Sequence, residues 1–253
     1  MENNIIKSDL GNTLVVIPAR EGSKRIINKN IKEIFGRPMI YWPLEILSKI
    51  FNAENVLVST DSDMVKSVVE KKGLTVPFKR PFNLSDDFTG TEEVTRHAVD
   101  WYETNVRKVN YVLTVYPTAV MLSEVDIYSS LNILFNDPKC DMVMSATTYD
   151  FPIQRAILKN VSGYAEIFDK NSYSKRSQDL LETYHDAGQF YLNRIESVRR
   201  GKFLKDSFVK LCVLKRNKVV DIDTMEDFKI AEDKLRFEKS NYEKKSWSFK
   251  TLK

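Results

Sequence analysis

Apolar residues run along this chain in two rhythms. The first is the short continuous run: Leu14-Val15-Val16-Ile17, Val56-Leu57-Val58-Ser59-Thr60, Tyr111-Val112-Leu113-Thr114-Val115-Tyr116 and Asp141-Met142-Val143-Met144-Ser145. Short runs rich in β-branched residues and bounded by turn formers predict strands buried on both faces. The second rhythm is helical spacing. It extends from Pro38 through Ile50, with prolines only in the first turns, where a missing N–H costs little. It returns at Met64, Val65, Val68 and Val69 behind a cap at Asp61 or Ser62, then from Thr89 to Val106, then from Ser123 to about Phe135. This alternation predicts an α/β fold, a Rossmann-like three-layer domain with a mixed, mostly parallel sheet and helices on both faces.

From about Thr148 to Leu192 the rhythm breaks. Extended pieces at Ile153 to Leu158, Tyr164 to Phe168 and Gln189 to Leu192 are separated by Gly, Asn, Asp and Ser, as in a hairpin-rich arm. The α/β pattern resumes with strands at Phe208 to Leu214 and Val219 to Ile222, then a helix from Thr224. There is no internal repeat and no low-complexity tract. The expected organisation is one domain over 1–240, with the arm at about 148–192 inside it and a basic tail at 241–253.

Composition narrows the class. With 42% hydrophobic and 29% charged residues the chain is neither disordered nor collagen-like. Its longest apolar runs fall far short of the ~20 residues that cross a bilayer, and MENNIIKSDL has no charged start followed by an apolar run, so neither a membrane span nor a secretory signal is expected. Cys140 and Cys212 lie too far apart for a metal-ligand spacing and are expected as free thiols in a reducing cytoplasm. The net charge of +4 is unevenly spread: the last 20 residues carry +5, leaving the preceding 233 at −1. A near-neutral body with a basic tail is not the footprint of a nucleic-acid binder, which spreads its charge over a folded face.

Two stretches carry candidate chemistry. The loop after the first strand reads IPAREGSKRIINKN at 17–30, with Arg20, Lys24, Arg25 and Lys29 against a single acid, Glu21. In open α/β sheets such loops meet ligands. Basic side chains with Gly22 nearby suit a polyanion such as a triphosphate; a solvated charged loop is the alternative. Neither GxxxxGK[ST] nor GxGxxG is present. The second stretch is Val219-Val220-Asp221-Ile222-Asp223-Thr224. On a strand, Asp221 and Asp223 point to one face and can share a cation, Mg²⁺ being the natural one; alternatively Asp223 caps the following helix. With only His97 and His185, a zinc site is not expected, and no GxSxG elbow supplies a serine nucleophile.

Together these stretches resemble the CMP-sugar synthetases, cytidylyltransferases that activate sialic acids and related nine-carbon keto (nonulosonic) acids. The likeness runs in order from Val16 to about Glu232, through VSTDS at 58–62, KRPFNLSDDFTGT at 79–91, FPIQRA at 151–156, RSQDLLETYHDAGQFY at 176–191 and VVDIDTMEDF at 219–228. FPIQRA and YHDAGQFY are similar to the branch that uses pseudaminic acid; branches for N-acetylneuraminic or legionaminic acid, or a non-catalytic nucleotide-binding module, are the alternatives. The resemblance implies a cytoplasmic homodimer whose arms reach into each other's sites, with CTP and a nonulosonic acid as substrates and Mg²⁺ as cofactor. It implies triphosphate contacts from Ala19, Arg20, Gly22, Ser23, Lys24 and Lys29, and a ribose contact from Asn30. It further implies cytosine recognition by Arg80 and Thr91, Mg²⁺ on Asp221 and Asp223, and sugar-acid contacts from Arg155, Arg176, Gln178, His185 and Gln189. Arg20, Lys24, Lys29, Asp221 and Asp223 would carry the catalysis. The chain departs from the family pattern at Glu21, usually Gly; at Ile27-Asn28, usually Pro-Arg; and at Tyr116, often Gln.

Overall fold

The computed structural model describes residues 7–201, 204 and 206–250, with side chains described between residues 9 and 238. The basic tail expected at 241–253 lies outside the described side chains, and 251–253 outside the described residues altogether.

The elements follow one another as α1 (Lys7–Gly11), β1 (Thr13–Pro18), the small hairpin β2 (Glu33–Ile34) and β3 (Arg37–Pro38), α2 (Tyr41–Ile50), β4 (Val56–Ser59) and α3 (Asp63–Glu70). Next come α4 (Thr91–Asn105), β5 (Tyr111–Val115), α5 (Glu124–Phe135), β6 (Met142–Thr148) and a second hairpin, β7 (Ile157–Lys159) and β8 (Ala165–Ile167). The chain ends with β9 (Tyr184–Arg194), α6 (Ile195–Arg200), β10 (Val209–Val213) and α7 (Met225–Lys250). Among the described residues no helix is long and apolar enough to cross a membrane.

Six strands form the main sheet in the order β10-β6-β9-β5-β1-β4. β1 pairs in parallel with β4 and β5, and β10 in parallel with β6, while β9 runs antiparallel to both of its neighbours. β1 shows why the apolar run is continuous. Leu14 and Val16 face a layer containing Ala98, Val99 and Tyr102 of α4 and Val198 of α6; Val15 and Ile17 face Leu44 and Leu47 of α2, Val65 and Val69 of α3 and Leu131 of α5. A parallel strand covered on both sides has no solvent face to alternate toward. A third, smaller cluster joins Ile26, Ile34, Met39 and Val120 to Ile222, Phe228 and Ala231, and so docks the start of α7 beside the loop that follows β1.

Three expectations change. The helix expected from Pro38 begins at Tyr41, because Arg37–Pro38 pairs with Glu33–Ile34 and the Met39 and Ile40 amides donate to the carbonyls of Lys32 and Asn30. The arm is narrower than 148–192: β6 continues through Thr148, and Tyr184–Arg194 is a central strand of the sheet. What stands out from the sheet is the segment between them, including the β7–β8 hairpin, whose six strand residues are all exposed. The strand expected at Val219–Ile222 does not form. Its carbonyls are taken by side chains instead of a ladder: Lys234 Nζ donates to Val219, Gln189 Nε2 to Val220 and Lys29 Nζ to Ile222. The alternation argument that placed Asp221 and Asp223 on one face therefore fails, and their positions are fixed by these contacts.

Arg194, at the end of β9, ties the sheet to α5. Its Nε donates to the Cys140 carbonyl at 2.9 Å and its Nη2 to the Leu134 carbonyl at 2.8 Å, satisfying a group in the helix's last turn that has no intrahelical donor. Its guanidinium also stacks over Tyr111, 5.7 Å from the ring centroid. Replacing it with Met leaves those carbonyls unpaired and is expected to cost about 2–3 kcal/mol. The readout is a lower midpoint in urea unfolding at an unchanged slope.

Candidate active site

β1 lies between β4 and β5, so the chain leaves its carboxyl end into a crevice of the kind that open α/β sheets use for ligands. The loop that follows β1 is fixed by its backbone. The Ala19 amide donates to the Ser59 carbonyl at 2.9 Å, the Glu21 amide to Asp61 Oδ1 at 3.0 Å, and the Ser23 amide to the Glu21 carbonyl at 2.7 Å. Asp61 thus anchors this loop, and Ser62 caps α3. Ile26 is buried in the small third cluster, and Asn30 Nδ2 donates to the Arg20 carbonyl at 2.8 Å. Asn28 adopts the left-handed conformation, φ 54° and ψ 35°, a backbone state that Asn tolerates better than a long side chain does. Gly22 is not held there by a positive φ, and an added Cβ would meet only Arg20 Nη1, at 3.6 Å.

The crevice is a cleft of about 510 Å³. Arg20, Ser23, Lys24, Lys29 and Asn30 line one wall; Arg80 and Thr91 line another; Asp223 closes the end. Lys29 spans the chain: its Nζ lies 2.7 Å from the Ile222 carbonyl and 3.2 Å from Asp223 Oδ1, 194 positions away. Arg25 Nη2 reaches Asp223 Oδ2 at 2.8 Å. Arg20 Nη1 and Lys24 Nζ converge on the two oxygens of Asp87, at 2.7 and 2.5 Å. Arg80 is buried, with Nε donating to Ser59 Oγ at 3.1 Å and Nη2 to the Ser59 carbonyl. Burial lowers its pKa to about 10, so it stays charged at neutral pH.

Asp221 and Asp223 stand differently. Asp223 is paired with two cations, whereas no donor among the described residues reaches the Asp221 carboxylate, which packs 3.6 Å from where a Cβ on Gly188 would stand. Partial desolvation, followed by the like charge of Asp223, pushes the Asp221 carboxyl above the usual range, and Lys29 offsets part of that rise. Among the described residues no three His, Cys, Asp or Glu side chains converge as a ready metal cage. Two hard carboxylates, one of them lacking any compensating donor, nonetheless match Mg²⁺, which takes one or two protein carboxylates and completes its shell with phosphate and water.

The sugar-side candidates lie elsewhere. Arg155 Nη2 donates to the Lys175 carbonyl and Arg176 Nε to Asp179, both on the exposed segment between β6 and β9, and Gln178 is exposed in a turn there. His185 Nδ1 lies 2.8 Å from the Asp186 carbonyl, with its ring beside Tyr149. Gln189 is buried, and its carboxamide donates to the carbonyls of Ala187 and Val220, bracing the Asp221 segment against β9. Within this chain, then, the structure brings the β1-loop cations, Ser23, Asn30, Arg80, Thr91 and Asp223 into one cleft; it leaves Ala19, Gly22 and Asp221 outside the lining, along with Arg155, Arg176, Gln178, His185 and Gln189.

Sequence reasoning passed over several residues here. Asp87 sits in the quoted LSDDF stretch, where paired acids facing a basic loop were a usable signal. Tyr116, noted in the sequence only as a departure from the family pattern, has its hydroxyl 2.8 Å from Thr91 Oγ1 and lines the cleft and also a neighbouring recess of about 300 Å³. Tyr191 packs edge-on against it and donates to Asp186. Met142, Met144 and Asn193 form the floor of that recess. Asn193 is 1% exposed, and neither end of its carboxamide has a partner among the described residues. No local pattern announces such a residue, because it looks like any strand position.

Residues 14–206 match the model of the family described as cytidylyltransferase, and the chain belongs to that family, within its CMP-sugar cytidylyltransferases. It is 36% identical over 220 residues to a pseudaminic acid cytidylyltransferase of Campylobacter jejuni, covering 86% of this chain and 94% of that protein. An N-acylneuraminate cytidylyltransferase of Escherichia coli is 24% identical over 219 residues, 86% of this chain and 51% of the relative. Among solved structures, a CMP:2-keto-3-deoxy-manno-octonic acid synthetase complexed with CTP shares the fold at a TM-score of 0.66 and 16% identity, covering 89% of this chain and 99% of that one.

The strained Asp221 carboxylate has a measurable consequence. Because its folded-state pKa is raised, the ionised form destabilises the ligand-free fold; the penalty is complete above the raised pKa and vanishes below the unfolded value of about 3.9. Asp221→Asn is therefore expected to melt at a higher temperature than the parent at pH 7, the gap narrowing as pH falls toward 4. An unchanged or lower melting temperature at pH 7 contradicts this reading of the site.

Proposed function

We propose that the protein transfers the cytidylyl group of CTP to a nine-carbon keto sugar acid, pseudaminic acid, releasing pyrophosphate. The observation that carries this reading is the Lys29–Asp223 contact, which joins the cationic loop after β1 to the acidic stretch before α7, with Asp223 in the same cleft as the loop's cations. The relatives that use pseudaminic acid, similar over most of the chain, support the choice of acid.

In this reading Arg20, Lys24 and Lys29, with the Gly22 amide and the Ser23 hydroxyl, take the triphosphate, while Ala19, its amide held by the Ser59 carbonyl, fixes the start of the loop. Asn30 serves the ribose, and Arg80 and Thr91 the cytosine. The anomeric hydroxyl of the acid attacks the α-phosphorus, the bond from that phosphorus to the bridging oxygen breaks, and pyrophosphate leaves with the electron pair. Little covalent chemistry is asked of the protein; holding the reactants in line and neutralising the charge that builds on the departing oxygen supply most of the acceleration. Asp221 and Asp223 would hold Mg²⁺, which when bound would supply Lewis acidity at the reacting centre and favour ionisation of the attacking hydroxyl. The recess beyond Tyr116 is the space for the acid's substituents: Met142 and Met144 offer apolar surface, and the unpaired Asn193 carboxamide offers one donor and one acceptor.

The segment between β6 and β9 is read as a dimerisation arm. Phe151, Val161, Tyr164 and Phe168 on it are between 60 and 108% exposed, an apolar surface that calls for a cover. In a homodimer this arm lies over the partner's cleft, and Arg155, Arg176 and Gln178 meet the acid there, with His185 contributing from the start of β9 at the arm's base. The working protein is then a cytoplasmic dimer of single nucleotidyltransferase domains spanning 1–240, each with a basic tail at 241–253.

The decisive assay is pyrophosphate release with CTP and Mg²⁺ over a panel of nonulosonic acids. Pseudaminic acid is expected to be turned over fastest, with Lys24→Ala about 10²- to 10³-fold down in kcat and Asp221→Asn inactive though folded. Mixing Lys24→Ala with Arg155→Ala is expected to restore part of the lost rate, because mixed dimers regain one intact site. Turnover of N-acetylneuraminic acid alone would move the protein to that branch, and no turnover with any acid would leave a nucleotide-binding module.

A further inference from the structure

We infer that Asp87 is a built-in competitor for the phosphate site. Its carboxylate lies where a nucleotide's phosphates would meet Arg20 and Lys24, and so it weakens nucleotide binding and speeds the departure of pyrophosphate. This inference rests on the nucleotidyltransferase reading of the cleft.

The geometry is that of a phosphate stand-in. One carboxylate divides its two oxygens between two cations of the β1 loop, Oδ1 on Arg20 and Oδ2 on Lys24. The same Arg20 Nη1 also reaches the Asp86 carbonyl at 3.1 Å. The segment that presents Asp87 is pre-shaped: Asp86 Oδ1 accepts from the Phe88 amide at 2.9 Å, the Thr89 amide at 2.7 Å and the Thr89 hydroxyl at 2.8 Å. The Thr89 hydroxyl also reaches the Asn83 carbonyl at 3.2 Å, and the Ser85 hydroxyl donates to the Pro81 carbonyl at 3.0 Å. A turn already folded by its own side chains delivers its carboxylate at little entropic cost, which is what gives an intramolecular competitor a high effective concentration.

Exposure sets how firmly it competes. The side chains of Arg20 and Asp87 are 37% and 36% exposed, and that of Lys24 is 81% exposed. Exposed pairs of this kind shift an equilibrium by about five-fold at most. Breaking two of them is a tax that a triphosphate can meet, whereas a buried pair would resist displacement. With Asp223 engaging Arg25 and Lys29, all four cations of the loop are paired before any ligand arrives, two carboxylates being shared among four cations so that the loop keeps an excess of positive charge for a polyanion. Since Asp87 opposes substrate and product phosphates alike, its gain lies in release: it re-engages Arg20 and Lys24 as pyrophosphate lets go. If it served only to hold those two side chains in position, removing its charge would loosen them and weaken phosphate binding.

The test is calorimetric titration of the full-length protein with tripolyphosphate, and with CTP without Mg²⁺, at low salt. Asp87→Asn, which keeps the shape and one acceptor, is expected to bind tripolyphosphate about 3- to 20-fold more tightly. In turnover its KM for CTP and its kcat should both fall, with a burst of product in the first cycle showing slow pyrophosphate release. Asp87→Glu should return both parameters toward those of the parent. A folded Asp87→Asn that binds tripolyphosphate equally or more weakly overturns the inference. Parent protein that binds neither tripolyphosphate nor CTP brings down the nucleotide reading, and this inference with it.

Discussion

A lysine ammonium held between the Ile222 carbonyl and the Asp223 carboxylate is the contact on which the site depends. It closes a sequence separation of 194 positions and does so from both sides: the β1 loop is drawn toward the start of α7, and the segment before α7 is held out of any β ladder. Around it charges alternate, so the cluster of cations does not repel itself apart. Arg25 shares Asp223 with Lys29, and Arg20 shares Asp87 with Lys24. The remaining carboxylate, Asp221, has no donor among the described residues, and desolvation together with the like charge of Asp223 raises its pKa. Stability given up at one side chain and recovered on binding is a common pattern in catalytic sites.

The scaffold explains why this tension is tolerated. Gln189 is fixed in the central strand β9 and donates to the Val220 carbonyl, so the acidic segment leans on the most buried part of the sheet. Gly188, with φ +60°, allows Asp221 to pack close against the backbone of that strand, where a side chain would meet both an unfavourable conformation and the carboxylate. On the opposite side Arg80 is anchored to Ser59 at the end of β4, and Tyr116 continues from β5. Every wall of the cleft is thus the end of a strand or a loop pinned to one, which is how a small cationic pocket keeps its shape without ligand.

The strands buried on two faces were legible because nothing but a continuous apolar run fits such a position; β1, β4 and β5 were read to within a residue, and β6 at its start, though it runs three residues further, to Thr148. The β1 loop was legible from its charge, since four basic residues rarely follow a buried strand without an anion to meet. Local pattern failed where long-range contacts decide. Val219–Ile222 has the apolar look of a strand, but its carbonyls are claimed by Lys29, Gln189 and Lys234 from three other parts of the chain. Gln189–Leu192 looked like one more extended piece of an irregular region, yet it lies in the middle of the sheet, because the partners that make it central, β5 and β6, are chosen by topology. Asn193 became visible only once a cavity existed for it to line, and Tyr116, noted in the sequence only as a departure from the family pattern, gained a place in the site with it.

The place of β9 also has a bearing on how the chain comes off the ribosome. The sheet consists of two parallel leaves, β5-β1-β4 and β10-β6, joined only through this antiparallel strand. Until Tyr184–Arg194 has been synthesised, the flanks of β5 and β6 are open edges with unmet amides and carbonyls, and the exposed segment after β6 must be made first. Maturation therefore passes through a stage with open edges on β5 and β6; the β9 ribbon seals the seam between them, and the far edge of β6 waits for β10, made later still.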